Sequence, residues 1–175
     1  KRCPKERVRQ LDRSDLAIRG RGEIHVNFRR RYRSGIILDG HLGDGWDYEL
    51  NEHLEETTTG NVIRPNGFGR TDFWIRNPDG SYTPPAGFFG TLLKEPDGSF
   101  VLREPDGFKR FYDDTGRIRR YEDRSGNAME LFYDANRNLD FVLDAFGRRI
   151  DFTFEDGRLV SIRDFVAIGD GQDQA

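Results

Sequence analysis

Glycine sets a beat in this chain that very few folds can follow. Four turns share one chemistry: Arg64-Pro65-Asn66-Gly67, Asn77-Pro78-Asp79-Gly80, Glu95-Pro96-Asp97-Gly98 and Glu104-Pro105-Asp106-Gly107. Proline presets φ at the second turn position, Asn or Asp tolerates the third, and Gly takes a positive φ at the fourth. Three further sites keep the glycine and place aspartate first: Asp113-Asp114-Thr115-Gly116, Asp123-Arg124-Ser125-Gly126 and Asp144-Ala145-Phe146-Gly147. An aspartate there can accept the backbone N–H two residues on, and a left-handed glycine at the end suits a type I turn with a bulge. Glu155-Asp156-Gly157 closes the series. One beat is missing, at Arg137 in Asp134-Ala135-Asn136-Arg137-Asn138.

Short alternating runs fill the intervals. Met129, Leu131 and Tyr133 alternate with Glu130 and Phe132, and Ile150, Phe152 and Phe154 alternate with Asp151 and Thr153. Phe108–Phe111, Ile118–Tyr121, Leu139–Leu143 and Leu159–Ile162 have the same length and kind. Ile24, Val26 and Phe28 form a further one-faced run beside Arg29-Arg30-Arg31. A helix needs about ten unbroken residues of 3.6 periodicity. Only Asp12–Arg21 and Tyr48–Thr57 raise that question, and both are short. The pattern predicts an all-β chain, an antiparallel meander of short hairpins. It also accounts for a composition with 20 glycines, 34% charged residues and a mean hydropathy of −0.80. Those values suit a thin wall of one sheet with two faces.

The C-terminal third repeats itself with a shift of about 21 residues. Phe111-Tyr112-Asp113 aligns with Phe132-Tyr133-Asp134, and Phe154-Glu155 follows. Ile118, Leu139 and Leu159 align, as do Tyr121, Val142 and Ile162, and Gly126 with Gly147. Each unit is one hairpin whose apolar side stays exposed until neighbours cover it, so about two and a half units need help from the preceding residues or another chain.

Tyr112-Asp113-Asp114-Thr115-Gly116-Arg117 resembles the YD repeat of Rhs proteins, toxin-complex shells and teneurins, and Asp123-Arg124-Ser125-Gly126-Asn127 and Asp144-Ala145-Phe146-Gly147-Arg148 look like its second half. Upstream, Arg31-Tyr32-Arg33-Ser34 followed by Leu42-Gly43-Asp44-Gly45-Trp46-Asp47-Tyr48 is similar to the segment that opens bacterial Rhs shells. Its marks are Tyr32, Gly43, Gly45 and Trp46. Gly69-Arg70-Thr71-Asp72-Phe73 and the P-D-G turns resemble the strands that follow. Arg137 in place of glycine and Glu155 in place of aspartate put those two turns in question. The resemblance implies a β-spiral shell that encloses a C-terminal toxin or effector. This chain would be the start of the shell, without the far-end protease region or the cargo. It implies further YD-repeat polypeptide and the enclosed toxin as partners. It also implies a bacterial, secreted or cell-surface location, reached by an export route not visible in this chain. Four parts follow: a basic N-terminal arm and first strand (1–33), an Rhs-like opening segment (34–107), the repeats (108–164) and a tail (165–175) that reads as loop.

The charge is uneven. Residues 1–33 carry 12 basic against 4 acidic residues, while the whole chain is at −3. Such an arm could meet an anionic surface, but with only Phe28 and Tyr32 as aromatics it reads as docked on the acidic body rather than on nucleic acid. No apolar run reaches the ~20 residues of a membrane span. A single cysteine, Cys3, excludes an internal disulfide and a Cys-rich zinc site. His41, Asp44 and Asp47 have a spacing that could touch a metal, yet a turn anchored by Trp46 explains it as well. No G-x-S-x-G elbow, phosphate loop or acid–base pair stands out. Trp46, Trp74, Phe88 and Phe89 read as wall or core aromatics. The expectation is a non-catalytic structural segment with no metal or cofactor. A cell-surface module for adhesion, carbohydrate or protein binding is the alternative.

Overall fold

The computed structural model describes residues 9–35, 38–67 and 70–166. Residues 1–8 of the basic arm, Phe68 and Gly69, and the tail from 167 onward lie outside the described residues. The architecture is all-β, with antiparallel sheets of short hairpins and no closed barrel. The strands are β1 (Gln10–Ile18), β2 (Val26–Arg33), β3 (Asp39–Gly40), β4 (Gly43–Asp44) and β5 (Trp46–Tyr48), then a 3₁₀ turn at Glu49–Asn51. β6 (Glu55–Glu56), β7 (Val62–Pro65), β8 (Thr71–Arg76) and β9 (Tyr82–Thr83) follow. The chain continues with β10 (Thr91–Lys94), β11 (Phe100–Arg103), β12 (Lys109–Tyr112), β13 (Ile118–Glu122), β14 (Ala128–Tyr133), β15 (Leu139–Leu143), β16 (Arg149–Glu155) and β17 (Arg158–Arg163).

β10 to β17 make one eight-stranded sheet in strict sequence order, the topology that hairpin turns alone can produce. The leading residues form three smaller sheets, β1-β2-β5, β3-β4 and β6-β7-β8-β9. The wall is therefore not the single sheet expected above. Neither short helix candidate is an α-helix. Asp12–Ile18 lies in β1, and Tyr48–Thr57 holds the end of β5, the 3₁₀ turn and β6. The basic arm contributes two paired strands rather than one, with Asp12 opposite Arg31 in the β1–β2 ladder.

Eight turns among the described residues share one pair of backbone hydrogen bonds. At Asp113, for example, Gly116 N–H donates to the Asp113 carbonyl at 2.9 Å and Asp113 N–H donates to the Arg117 carbonyl at 2.9 Å. The others begin at Thr57, Asn77, Glu95, Glu104, Asp123, Asp134 and Asp144. The carboxylate that steadies the turn occupies either of two positions. In the P-D-G turns it is third, as where Asp97 accepts Ser99 N–H at 3.0 Å. In the D-x-x-G turns it is first, as where Asp113 accepts Thr115 N–H at 3.0 Å and Arg117 N–H at 2.9 Å.

Four sites depart from the sequence reading. The Thr57-Thr58-Thr59-Gly60 turn has the same bonds but neither proline nor aspartate. Arg64-Pro65-Asn66-Gly67 is not one of the series, because Pro65 still belongs to β7 opposite Thr71 and the loop starts at Asn66. At the missing beat the turn forms regardless, with Arg137 at φ 72. The last turn is tighter. Glu155 pairs with Arg158, and both intervening residues, Asp156 at φ 48 and Gly157 at φ 74, are left-handed. That is the two-residue I′ geometry, and it explains why the last half-repeat is one residue short.

One core runs through both halves. Tyr112, Ile118, Tyr121, Met129, Leu131 and Leu139 on the long sheet belong to the same buried cluster as Val26, Phe28, Leu50 and Leu54. Each such fully buried side chain contributes about 1.5–3 kcal/mol. The leading segment is thus the second layer that the hairpins lack by themselves. Backbone bonds rivet the layers: Leu54 N–H to Gly116 O at 2.7 Å, and Leu159 N–H to His41 O at 2.9 Å. The Asp123 carboxylate also accepts Glu23 N–H at 3.2 Å.

Candidate functional site

The chemically densest place lies where the leading segment meets the first repeat hairpin. Glu52, just past the 3₁₀ turn, is buried at 6% exposure. Its Oε1 accepts Arg64 Nε at 3.0 Å from β7 and the Tyr112 hydroxyl from β12, with Arg110 Nε at 3.4 Å. Arg64 also reaches Asp72 Oδ2 at 3.2 Å, Arg70 reaches Asp72 Oδ1 at 2.7 Å, and Arg110 pairs with Glu104. Burial would raise the Glu52 carboxyl, but the Arg110 and Arg64 charges outweigh it and hold it below the ordinary glutamate range. Burial and the Glu52 charge push the Tyr112 hydroxyl well above its usual range. The two arginines also lie over rings, Arg64 at 5.7 Å from Phe88 and Arg110 at 4.9 Å from Phe108. A cavity of about 270 Å³ adjoins the network, with Glu49, Asn66 and Met129 in its lining. The network ties Glu52, Arg64 and Asp72 of the leading segment to Glu104, Arg110 and Tyr112 of the long sheet and its turns, so it joins the two layers.

A second, more polar groove of about 460 Å³ lies between His41–Glu56 and the turns of the first two repeats. His41 Nδ1 meets the Tyr48 hydroxyl at 3.0 Å, and its ring is edge-on to Phe154 at 5.1 Å. Burial lowers the His41 imidazole against the pull of Asp47. Asp47 accepts Tyr48 N–H at 2.9 Å and Asn51 Nδ2 at 2.8 Å, and burial raises its carboxyl. Asp44 sits apart, paired with Asp39 in the β3–β4 hairpin. The His41, Asp44 and Asp47 spacing thus places its members in different jobs. No three His, Cys, Asp or Glu side chains gather as a metal site among the described residues.

The other residues singled out by sequence fall into three groups. Gly80, Gly98, Gly107, Gly116, Gly126 and Gly147 all hold φ between 76 and 91 at turn ends, and Gly67 and Gly157 are also left-handed. Asp123 and Asp144 are buried at the feet of their turns, Asp144 accepting Arg148 N–H at 2.9 Å. Tyr112, Tyr133 and Phe154 pair with Ile118, Leu139 and Leu159, each beside a bulge. The Tyr133 hydroxyl donates to Ile118 O at 2.8 Å. The Tyr32 and Trp46 rings lie 5.4 Å apart, tilted by 47°, with Arg30 5.2 Å from the indole, and Gly43 and Gly45 are left-handed beside them. A Cβ on Gly45 would stand 2.9 Å from the Tyr32 ring. Trp74 is fully buried, while Phe89 is 84% exposed and is not a core aromatic. It sits in the loop between β9 and β10, outside the period-2 pattern of the strands.

Residues 9–81 match the family model of a domain of unknown function, DUF6531. No curated protein matches the sequence at a significant level. The matched stretch contains Glu52, Arg64 and Asp72 but not Arg110 or Tyr112, so the buried network straddles its boundary.

Proposed function

We propose that this chain is a non-catalytic structural segment, the start of an Rhs-type YD-repeat β-shell that encapsulates a C-terminal toxin or effector. The observation that carries this reading is the repetition of one bulged hairpin. Tyr112–Ile118, Tyr133–Leu139 and Phe154–Leu159 occupy the same register position in successive hairpins of one continuous sheet. Its partners are further repeat polypeptide, added after β17, and the enclosed cargo. Its location is secreted or at a bacterial surface. The outward Phe73 and Ile75 of β8, 45% and 51% exposed, favour the second reading, a surface module for adhesion.

The test is to append two and four further 21-residue repeat units after residue 166 and follow thermal melting and light scattering. A shell segment gains melting temperature with each unit and stays monodisperse. A self-sufficient adhesion module gains nothing, and that result would overturn the shell reading.

A further inference from the structure

The polar groove contains the one repeat turn, among the described residues, that replaces its left-handed glycine with a bulky residue. Every sister turn of the meander has glycine at that position, yet Arg137 stands there at φ 72. A non-glycine residue in this region is strained, and strain kept where glycine would relieve it points to a task for the side chain. Arg137 lines the groove together with Arg117, Thr115, Asn136 and Asn138.

The charge balance points the same way. Arg117 lies over the Tyr133 ring at 5.2 Å, which steadies the guanidinium. Among the described residues neither Arg117 nor Arg137 has a carboxylate partner, whereas Arg64, Arg110, Arg120, Arg148 and Arg158 all do. Each acid that lines the groove contacts a side chain other than these two arginines, Glu55 within the groove itself. Glu52 is held by Arg64 and Arg110, Glu55 by His53 at 3.1 Å, and Glu56 by Lys94 at 2.7 Å. Two planar cationic forks therefore line a cleft of ligand-binding size with no carboxylate paired to either among the described residues.

We propose that this groove binds an oxyanion, phosphate or carboxylate, gripped by Arg117 and Arg137. Asn136, on the same lining, supplies a neutral polar contact beside them, whereas the Thr115 hydroxyl and the Asn138 amides already donate to Asp113 and Asp134. The site stands independently of the shell reading.

The test is a ¹⁵N–¹H titration of the full chain with inorganic phosphate and, separately, with citrate, at ionic strength held constant with sodium chloride. Saturable shifts confined to residues 115–117, 136–138 and His53 are expected. Arg117→Gln and Arg137→Gly should each weaken binding at least fivefold, Arg137→Lys less. Arg137→Gly should also raise the melting temperature, so its loss of binding cannot come from unfolding. Saturation by phosphate alone, or by citrate alone, assigns the anion, and saturation by both marks an unselective oxyanion site. Shifts that follow ionic strength whatever the anion, or unchanged binding by Arg137→Gly, would overturn the proposal.

Discussion

The first and second repeat hairpins are built on one register and differ where the leading segment touches the first. Arg110 and Leu131 occupy the same inward position, opposite Tyr121 and Val142. Leu131 is packed in apolar surroundings, while Arg110 turns into the Glu52 network. Gly116 and Arg137 are likewise equivalent. A Cβ on Gly116 would stand 2.1 Å from the Leu54 carbonyl oxygen, so that turn is pressed against the neighbouring layer and has room only for glycine. The second turn opens onto the groove and accommodates arginine. The hairpins thus diverge in two ways: contact with the leading segment brings a charge to Arg110, and freedom from that contact lets Arg137 stand where Gly116 must remain glycine.

The sharpest way to break this comparison is Glu52→Gln. It leaves Arg64 and Arg110 buried without their shared counter-charge, a loss of about 3–5 kcal/mol, measured by urea unfolding. Wild-type stability would show that the network does not join the layers. Next is Gly116→Ala, where left-handed strain and the Leu54 clash together cost about 2–3 kcal/mol. The same change at Gly126, whose Cβ position meets nothing within 4 Å, isolates the strain alone at about 1 kcal/mol. Equal losses at the two sites would remove docking as the cause. Gly126→Val and Gly147→Val should each lose more than about 1 kcal/mol by denaturation, since a β-branched residue resists positive φ.

The smallest effect is pH dependence. The folded state holds His41 below its ordinary value, so stability should begin a shallow fall as pH drops below about 6.5. A steeper fall should follow below about 4.3, where protonation of Glu52, held low in the fold, removes its charge. Melting curves from pH 7.5 to 3.5 check both, and His41→Gln should flatten only the upper limb.

The meander was readable because its rules are local. A turn such as Asp144-Ala145-Phe146-Gly147 is specified within five residues, and the alternation of Ile150 and Phe152 names the buried face directly. The Glu52 network was not readable, because its members come from positions 52, 64, 72, 104, 110 and 112 and no local pattern ties them together. One signal was available: in the 21-residue alignment Arg110 falls in a column with Leu131 and Phe152, a charge where the pattern demands an apolar group. The Thr57 turn escaped because it has neither Asp nor Pro. Pro65 misled because proline is also acceptable at the end of a strand.

The strict sequence order of β10 to β17 has a kinetic meaning. Each strand needs only the one just before it, so the chain closes turns of a few residues and never waits for a distant partner, the regime in which folding is fast. A ribosome would release the leading segment first, its apolar face uncovered, and every hairpin that emerges afterwards could settle on it in turn. Synthesis order and assembly order coincide, and the time any greasy surface spends bare is set by translation rather than by a search.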